Sequence, residues 1–454
     1  MSEQNNVIRT EAPAPGTLKK SDLYAISLGY VIGAGIVTLV GPAIALTGMS
    51  AWLAYFVAII FGFIINLPAV FVTSSLRMAG GPYSMLAGLG GKRLAGMYAL
   101  TFLTTVINMG GFGIAIGWYV NTLWPFIPAK AAGIAAITFF YLVNLMGVDI
   151  MAKVQKAMTW ILLAAFGLFI VKGFTGLNNP VFDFSNPEFM PNGIQGFISA
   201  VFLYVVSTNG YLMTMSYGKV AKKATRDIPW AMLMCVPTFI VVYCGVTIVG
   251  AGVLPIEQMA GKPLTVVANV IWNPFMFVLF MVGGPFMALT STMNSAYGNN
   301  CFPVAQSAKD GWLPKWVAKQ NGRGAYYVIL TIIWVIGLIP LLTGFDINSI
   351  TRTLSIFFAG LSFLYTFAYW QLPKKYPEAW KKSKLHVPDG VYYASVIVGF
   401  IGWAAVFVYS LKCLPVSVAV ITVLVYVGCV SYGVIRSKDE RIKVETSMWE
   451  DTEE

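Results

Sequence analysis

Apolar residues along this chain come in long blocks rather than in alternation. A helix crosses a hydrocarbon core in about 20 residues, and twelve runs near that length can be read. They cover residues 23–46, 51–72, 94–123, 131–147, 150–171, 194–217, 230–253, 275–300, 326–343, 348–372, 391–411 and 414–434. Twelve membrane-spanning helices are expected, numbered spans 1 to 12. An even number of crossings brings the chain back to the side on which it starts.

The polar stretches between the runs say which side that is. Of the 30 Lys and Arg residues, 25 fall on the side of the termini, among them Lys19, Lys20, Arg77, Lys219 to Arg226, Lys374 to Lys384 and Arg436 to Lys443. Only Lys130, Lys172, Lys262, Arg352 and Lys412 fall on the other. By the positive-inside rule the termini and basic loops are cytoplasmic, in the plasma membrane. The net charge of +11 thus reports topology, and nucleic acid is not an expected partner.

Composition agrees: 454 residues with 57% apolar, 11% charged and a mean hydropathy of +0.72 describe an all-α integral membrane protein. The N-terminus is polar through Lys20 and the first run exceeds a signal h-region, so span 1 is expected in the mature protein. Cys235, Cys244, Cys301, Cys413 and Cys429 show no CxxC spacing, which reads as packing rather than a metal site or a disulfide framework.

All 19 acidic residues lie in tails, loops or helix ends, and the single histidine, His386, is in a loop. Proton and cation pumps place such groups at mid-membrane. Their absence leaves no counter-charge for a cationic side chain and points to a neutral or zwitterionic substrate. An embedded enzyme would also need a positioned acid, base or nucleophile, so neither catalysis nor a cofactor is implied.

Two runs are interrupted by residues that suit a helix poorly. Span 1 contains YVIGAGIVTLVG, with Gly33 and Gly35 at its midpoint; taken alone this fits close helix packing as well as a break. Span 6 contains YVVSTNGYLMT, in which Asn209-Gly210 is a strong turn dipeptide that hydrocarbon tolerates only beside a cavity or a partner. Spans 1 and 6 open two consecutive sets of five helices, and five being odd, the second set is inverted. Paired interruptions in inverted halves point to a transport site at their interface. A substrate carboxylate is expected on the amides of Gly33, Ala34 and Gly35, with an ammonium on carbonyls freed near Ile32 and Val206 to Thr208. The candidate substrate residues are Ile32, Gly33, Ala34, Gly35, Ile36, Val206, Ser207, Thr208, Asn209 and Gly210.

These segments resemble the amino acid–polyamine–organocation superfamily. VIGAGI is similar to its G-[SA]-G-I signature, and RMAGGPYSML to its P-x-A-G-G-x-Y element. KKATRDIPWAM resembles N-P-[KR]-[RK]-N-[IV]-P-x-A through Arg226, Ile228, Pro229 and Ala231. AKDGWLP, residues 308–314, resembles A-R-D-G-x-L-P, and LPKKYPE resembles L-R-K-K-x-P-E. The resemblance implies the 5+5 inverted-repeat, leucine-transporter-type fold: discontinuous helices 1 and 6, two added C-terminal helices, and alternating-access transport of amino acids or related amines. The corresponding segments are a tail 1–21, a first repeat 22–172, an external loop 173–193, a second repeat 194–372, a loop with helices 11 and 12 over 373–434, and an acidic tail 435–454.

The resemblance also has departures. Where exchangers and proton-coupled members carry a lysine seven residues after a V-Q pair, Val154-Gln155 is followed by Leu162, and the nearest amines are Lys153 and Lys156. The acid of G-E-V-x-N-P is Lys219, and the aromatic lid of helix 6 falls on Val206, leaving Tyr204 or Tyr211 to close the pocket. Exchange or facilitated transport needs no ion site. Sodium held by Thr290, Ser291 and Ser295 is the alternative, although small hydroxyls in a membrane bundle more often serve helix packing.

A transporter-like amino acid sensor is the other class left open. Expected partners are a small amino acid or amine and the lipid bilayer, with a second copy of the chain left open. Asn108 and Asn294 read as interhelical hydrogen-bond partners. Residues 1–18 read as disordered and ETSMWEDTEE as a solvated tail.

Overall fold

A computed structural model describes residues 7–9, 14–344 and 347–450, apart from the side chains of residues 7–9, Ala34, Val206, 347–355 and Thr446. Asp346, the Arg352 side chain and the last four residues of the acidic tail therefore lie outside the described residues.

Each apolar run folds as helix, since a chain in hydrocarbon can satisfy its main-chain polar groups only internally. Among the described residues, nine helical stretches are long and apolar enough to cross a membrane: Lys20–Thr38, Val40–Ser75, Pro82–Leu123, Val148–Phe174, Gly193–Tyr217, Ala224–Gly252, Pro274–Lys309, Asp389–Lys412 and Val416–Arg436. Two shorter apolar helices, Ala129–Leu145 and Tyr327–Thr343, and the helix Ile347–Tyr369 coincide with runs 4, 9 and 10. The chain is an all-α membrane protein. Its first apolar run is divided from the second by a turn at Gly48, whose φ of 63° and approach to the Glu188 carbonyl, 2.2 Å from where a Cβ would sit, leave room only for glycine.

Span 1 is enclosed by its neighbours. Its first helix, Lys20–Val31, packs against Val148–Phe174, Ala224–Phe239 and Met287–Lys309, and Leu23, Ile26 and Leu28 are fully buried. Small residues set these approaches, as is usual between membrane helices: a Cβ on Gly29 would lie 1.8 Å from Gln155 Nε2, and one on Gly433 would lie 2.4 Å from the Gly96 carbonyl. Amides then tie the helices together. Asn144 Nδ2 donates to Asn294 Oδ1 at 3.0 Å and Asn294 Nδ2 to Gln155 Oε1 at 2.9 Å, while Thr159 Oγ1 donates to the Ala25 carbonyl at 2.9 Å. Asn294 is thus the interhelical partner expected of it. Val416–Arg436, by contrast, turns Ile421, Leu424 and Ile435 outward, the surface that lipid solvates.

The chain ends depart from expectation. Val7–Arg9 pairs in parallel with Val444–Thr446, and Arg77–Met78 pairs antiparallel with Met448–Trp449. The described parts of the two chain ends therefore pack together beside the end of the helix Ala51–Ser75. The described part of the acidic tail is not a solvated coil, because Ile442, Val444 and Met448 bury their apolar side chains and Ala79 N donates to the Ser447 carbonyl at 3.0 Å. Leu18 likewise is buried, and its amide donates to the Val220 carbonyl at 2.9 Å. Arg77, buried, donates to the carbonyls of Gly218, Lys219 and Ala14 at 2.8–3.0 Å. The result is a strap across the polar ends of spans 2, 3, 6 and 8.

Asp310, at the end of span 8, sits under this strap. It accepts from the Tyr83 hydroxyl at 2.6 Å and from Gln306 Nε2 at 3.0 Å, and its carbonyl accepts from Lys443 N at 3.1 Å. Burial is the reason its carboxyl is pushed up to about 7, against hydrogen bonds from Tyr83, Gln306 and the Glu445 amide that pull it down. A carboxyl raised by docking favours the docked state most at low pH and loses that contribution as pH rises through about 7. Limited proteolysis should therefore find the tail better protected at pH 5.5 than at pH 8, and Asp310→Asn should flatten the difference. Equal protection at both pH values in the unaltered chain would contradict this.

Candidate functional site

The interruption in span 1 is a true break. Lys20–Val31 ends at Ile32 (φ −75°, ψ 80°), and the chain re-enters a helix at Ala34 after Gly33 (φ −128°, ψ −140°). Gly33 N donates to the Val31 carbonyl at 2.8 Å, two residues back. The second segment, Ala34–Thr38, starts with no side-chain cap, so its first amides have no intrahelical acceptor. Glycine is needed here for space: a Cβ on Gly33 would lie 2.2 Å from Thr292 Oγ1, and one on Gly35 would lie 2.7 Å from the Ser207 Cβ. The Ala34 side chain lies outside the described residues.

The interruption in span 6 is narrower than the sequence suggests. The α-helix Gly193–Thr208 continues through most of the polar stretch, changes at Asn209, and resumes as a tighter 3₁₀ turn, Gly210–Tyr217. The reason is local. Ser207 Oγ donates to the Tyr204 carbonyl at 2.8 Å, and Thr208 Oγ1 and Asn209 Nδ2 both donate to the Val205 carbonyl at 2.9 and 2.6 Å. The polar side chains satisfy the carbonyls that unwinding would have freed. The Val206 side chain lies outside the described residues.

The two interruptions meet. Ser207 faces Gly35, and a Cβ on Gly210 would lie 2.8 Å from the Tyr30 ring. Asn66 of span 2 fixes the second break, donating to Asn209 Oδ1 at 2.6 Å while accepting from Trp403 Nε1 at 3.3 Å.

Helix 8 supplies hydroxyls to span 1. Ser291 Oγ and Thr292 Oγ1 both donate to the Gly29 carbonyl, at 3.0 and 3.1 Å, and Ser295 Oγ to the Ile26 carbonyl at 3.4 Å. Thr290 instead donates to the Phe286 carbonyl of its own helix at 2.8 Å. Of the three hydroxyls expected together, the fold brings two to span 1 and replaces the third by Thr292.

Tyr204 and Tyr211 both pack against other aromatic rings. Tyr204 stacks on Tyr55, ring centroids 3.5 Å apart, and Tyr211 leans on Phe239 of span 7. Sequence reasoning also missed Tyr243, whose hydroxyl donates to the Val31 carbonyl at 2.8 Å, and Tyr55, 3.1 Å from Ser207 Oγ. A tyrosine inside an apolar run carries no signal separating an interface anchor from a main-chain cap. The ring at the breaks is Tyr30, which with Phe112 and Phe358 borders a small internal cavity.

With this arrangement in view, comparison with known proteins is direct. The amino acid permease family matches residues 18–437, and the chain belongs to it; the protein is a transporter and not an enzyme. It is similar to the branched-chain amino acid permease BcaP of Bacillus subtilis, 21% identical over 416 residues that cover 85% of this chain and 88% of that one. An uncharacterised transporter of Mycobacterium tuberculosis is 24% identical over 311 residues, 66% of this chain and 68% of its own. An uncharacterised protein of Methanocaldococcus jannaschii is 21% identical over 305 residues, 65% and 69%.

The contacts at Gly33 yield a paired test. Gly33→Ala should lower transport at least about tenfold, a misplacement cost of the kind a fraction of an ångström produces, without preventing membrane insertion. Thr292→Ala in the same chain removes the atom that the new methyl meets and should restore part of the activity. Normal transport by Gly33→Ala alone would make the glycine a packing residue.

Proposed function

We propose that the protein is a twelve-span secondary transporter of the plasma membrane that moves neutral or zwitterionic amino acids by alternating access, as an exchanger or facilitator. In this reading both termini are cytoplasmic. Residues 22–172 and 194–372 form inverted five-helix repeats, and helices 11 and 12 lie outside them. The substrate carboxylate rests on the amides of Gly33, Ala34 and Gly35, and its ammonium on carbonyls around Ile32 and the end of the helix Gly193–Thr208. Ile36 and Val206 to Gly210 complete the lining.

The observation that carries this reading is the contact between the two interruptions, Gly35 against Ser207 and Gly210 against Tyr30. A break in one helix is a packing event; two breaks facing each other in consecutive five-helix sets create one space bordered by helix ends of opposite polarity. Family membership over residues 18–437 supports an amino acid as cargo. The name of BcaP supports branched-chain substrates as one candidate group.

Exchange or facilitation is favoured over ion coupling by the chemistry around span 1. Leu162, fully buried, occupies the position where lysine-bearing relatives keep an amine. Ser291 and Ser295 each donate to a span 1 carbonyl, which is the work of helix packing.

Reconstitution tests both parts. Liposomes containing the protein should take up labelled neutral amino acids, faster when preloaded with unlabelled substrate and equally with or without sodium or proton gradients. Strict dependence on sodium with no effect of preloading would overturn exchange in favour of symport. Binding without uptake would make the protein a sensor.

A further inference from the structure

Two amides inside the bundle have nothing to bond. Asn108, in span 3, and Asn300, in span 8, line the same internal cavity. Among the described residues neither side chain has a hydrogen-bond partner. Asn300 is 7% exposed and Asn108 half-buried. Asn66, Asn144, Asn209 and Asn294 are each bonded to a carbonyl or another amide, whereas Asn299 Oδ1, beside Asn300 in span 8, is buried without a partner among the described residues. Two amides facing one space without a protein partner present it with unused donors and acceptors.

The cavity adjoins both breaks. Tyr30 stands three residues before Gly33 and Met213 three residues after Gly210, and both line it. Span 3 contributes Met109 and Phe112, and span 10 contributes Phe358. In this conformation the space is about 10 Å³, enough for about one water, so a ligand enters only as the walls yield. Methionine is the side chain best suited to do so.

We infer that this cavity is the chamber for the substrate's side chain, and that Asn108 and Asn300 select a neutral carboxamide at its tip. The inference rests on the proposed amino acid site at the breaks and assigns its specificity. Among the described residues no charged side chain lines the chamber, so an acidic or basic substrate side chain would find no counter-charge among them. An aliphatic side chain would fill the space and leave both amides unpaired. A carboxamide offers two donors and an acceptor, the complement of two further amides, on a stem that Met109 and Met213 can cover. The chamber thereby departs from the branched-chain preference that the name of BcaP suggests.

The full-length protein in liposomes provides the test. Unlabelled glutamine or asparagine should compete for labelled glutamine uptake at least about tenfold better than leucine or glutamate, the scale of discrimination lost when a polar site meets a ligand that cannot pair with it. Asn108→Leu and Asn300→Leu should each shift the glutamine-to-leucine uptake ratio at least about tenfold toward leucine; retained leucine uptake shows that the variants fold. If leucine or glutamate competes as well as glutamine in the unaltered protein, or if both variants keep its preference, the carboxamide assignment is overturned while amino acid transport stands. If the unaltered protein takes up no amino acid at all, the site at the breaks falls, and the chamber's assignment with it.

Discussion

Everything distinctive here follows from one constraint: a main-chain polar group that leaves its helix inside a bilayer must find another partner. The break at Gly33 exposes the carbonyls that end the helix Lys20–Val31, and neighbouring helices are built around receiving them. The Gly29 carbonyl takes Ser291 and Thr292 from span 8 and the Val31 carbonyl takes Tyr243 from span 7, while Ser295 reaches the Ile26 carbonyl one turn back inside the helix. In span 6 the same need is met from within by Ser207, Thr208 and Asn209. The two interruptions thus differ in kind: the first is held open by its neighbours, and the second is pinned by its own side chains and by Asn66.

That difference bears on how such a site could bind an amino acid with no charged side chain nearby. Carbonyls already occupied by hydroxyls are stable without ligand, whereas the amides that begin Ala34–Thr38 carry no side-chain cap. The anionic end of a substrate would therefore have the more open site, and the ammonium would share carbonyls with resident hydroxyl donors. A site of this kind uses fixed dipoles rather than titrating groups. The fully buried Leu162 is consistent with it.

Much of this was legible in the chain because the bilayer leaves few alternatives. Runs of about 20 apolar residues must be helices, so the spans were readable, as was the break at Gly33, where helix propensity and position agree. The break in span 6 was legible in place but not in extent: Ser207, Thr208 and Asn209 suggest unwinding by composition, yet their hydrogen bonds to carbonyls three and four residues back hold the helix through Thr208. Of the span 8 hydroxyls, Ser291 and Ser295 reach span 1 and Thr292 does so in place of Thr290, because a row of small polar residues does not reveal which of them faces span 1. Asn108 looked like an interhelical partner and has none among the described residues. The strap was illegible for another reason, since Val444–Thr446 and Met448–Trp449 find their partners several hundred positions away, and no local pattern encodes such pairings.

The central claim, that the facing interruptions form a substrate site reached alternately from two sides, is tested most directly at Ser207. Replaced by cysteine in a chain whose exposed Cys413 and half-buried Cys429 are changed to serine, this position can be probed with a membrane-impermeant thiol reagent applied to each face in turn. The account predicts modification from both faces, slowed in each case by a transported amino acid. Modification from one face only, or at a rate that saturating substrate leaves unchanged while uptake is normal, would contradict it.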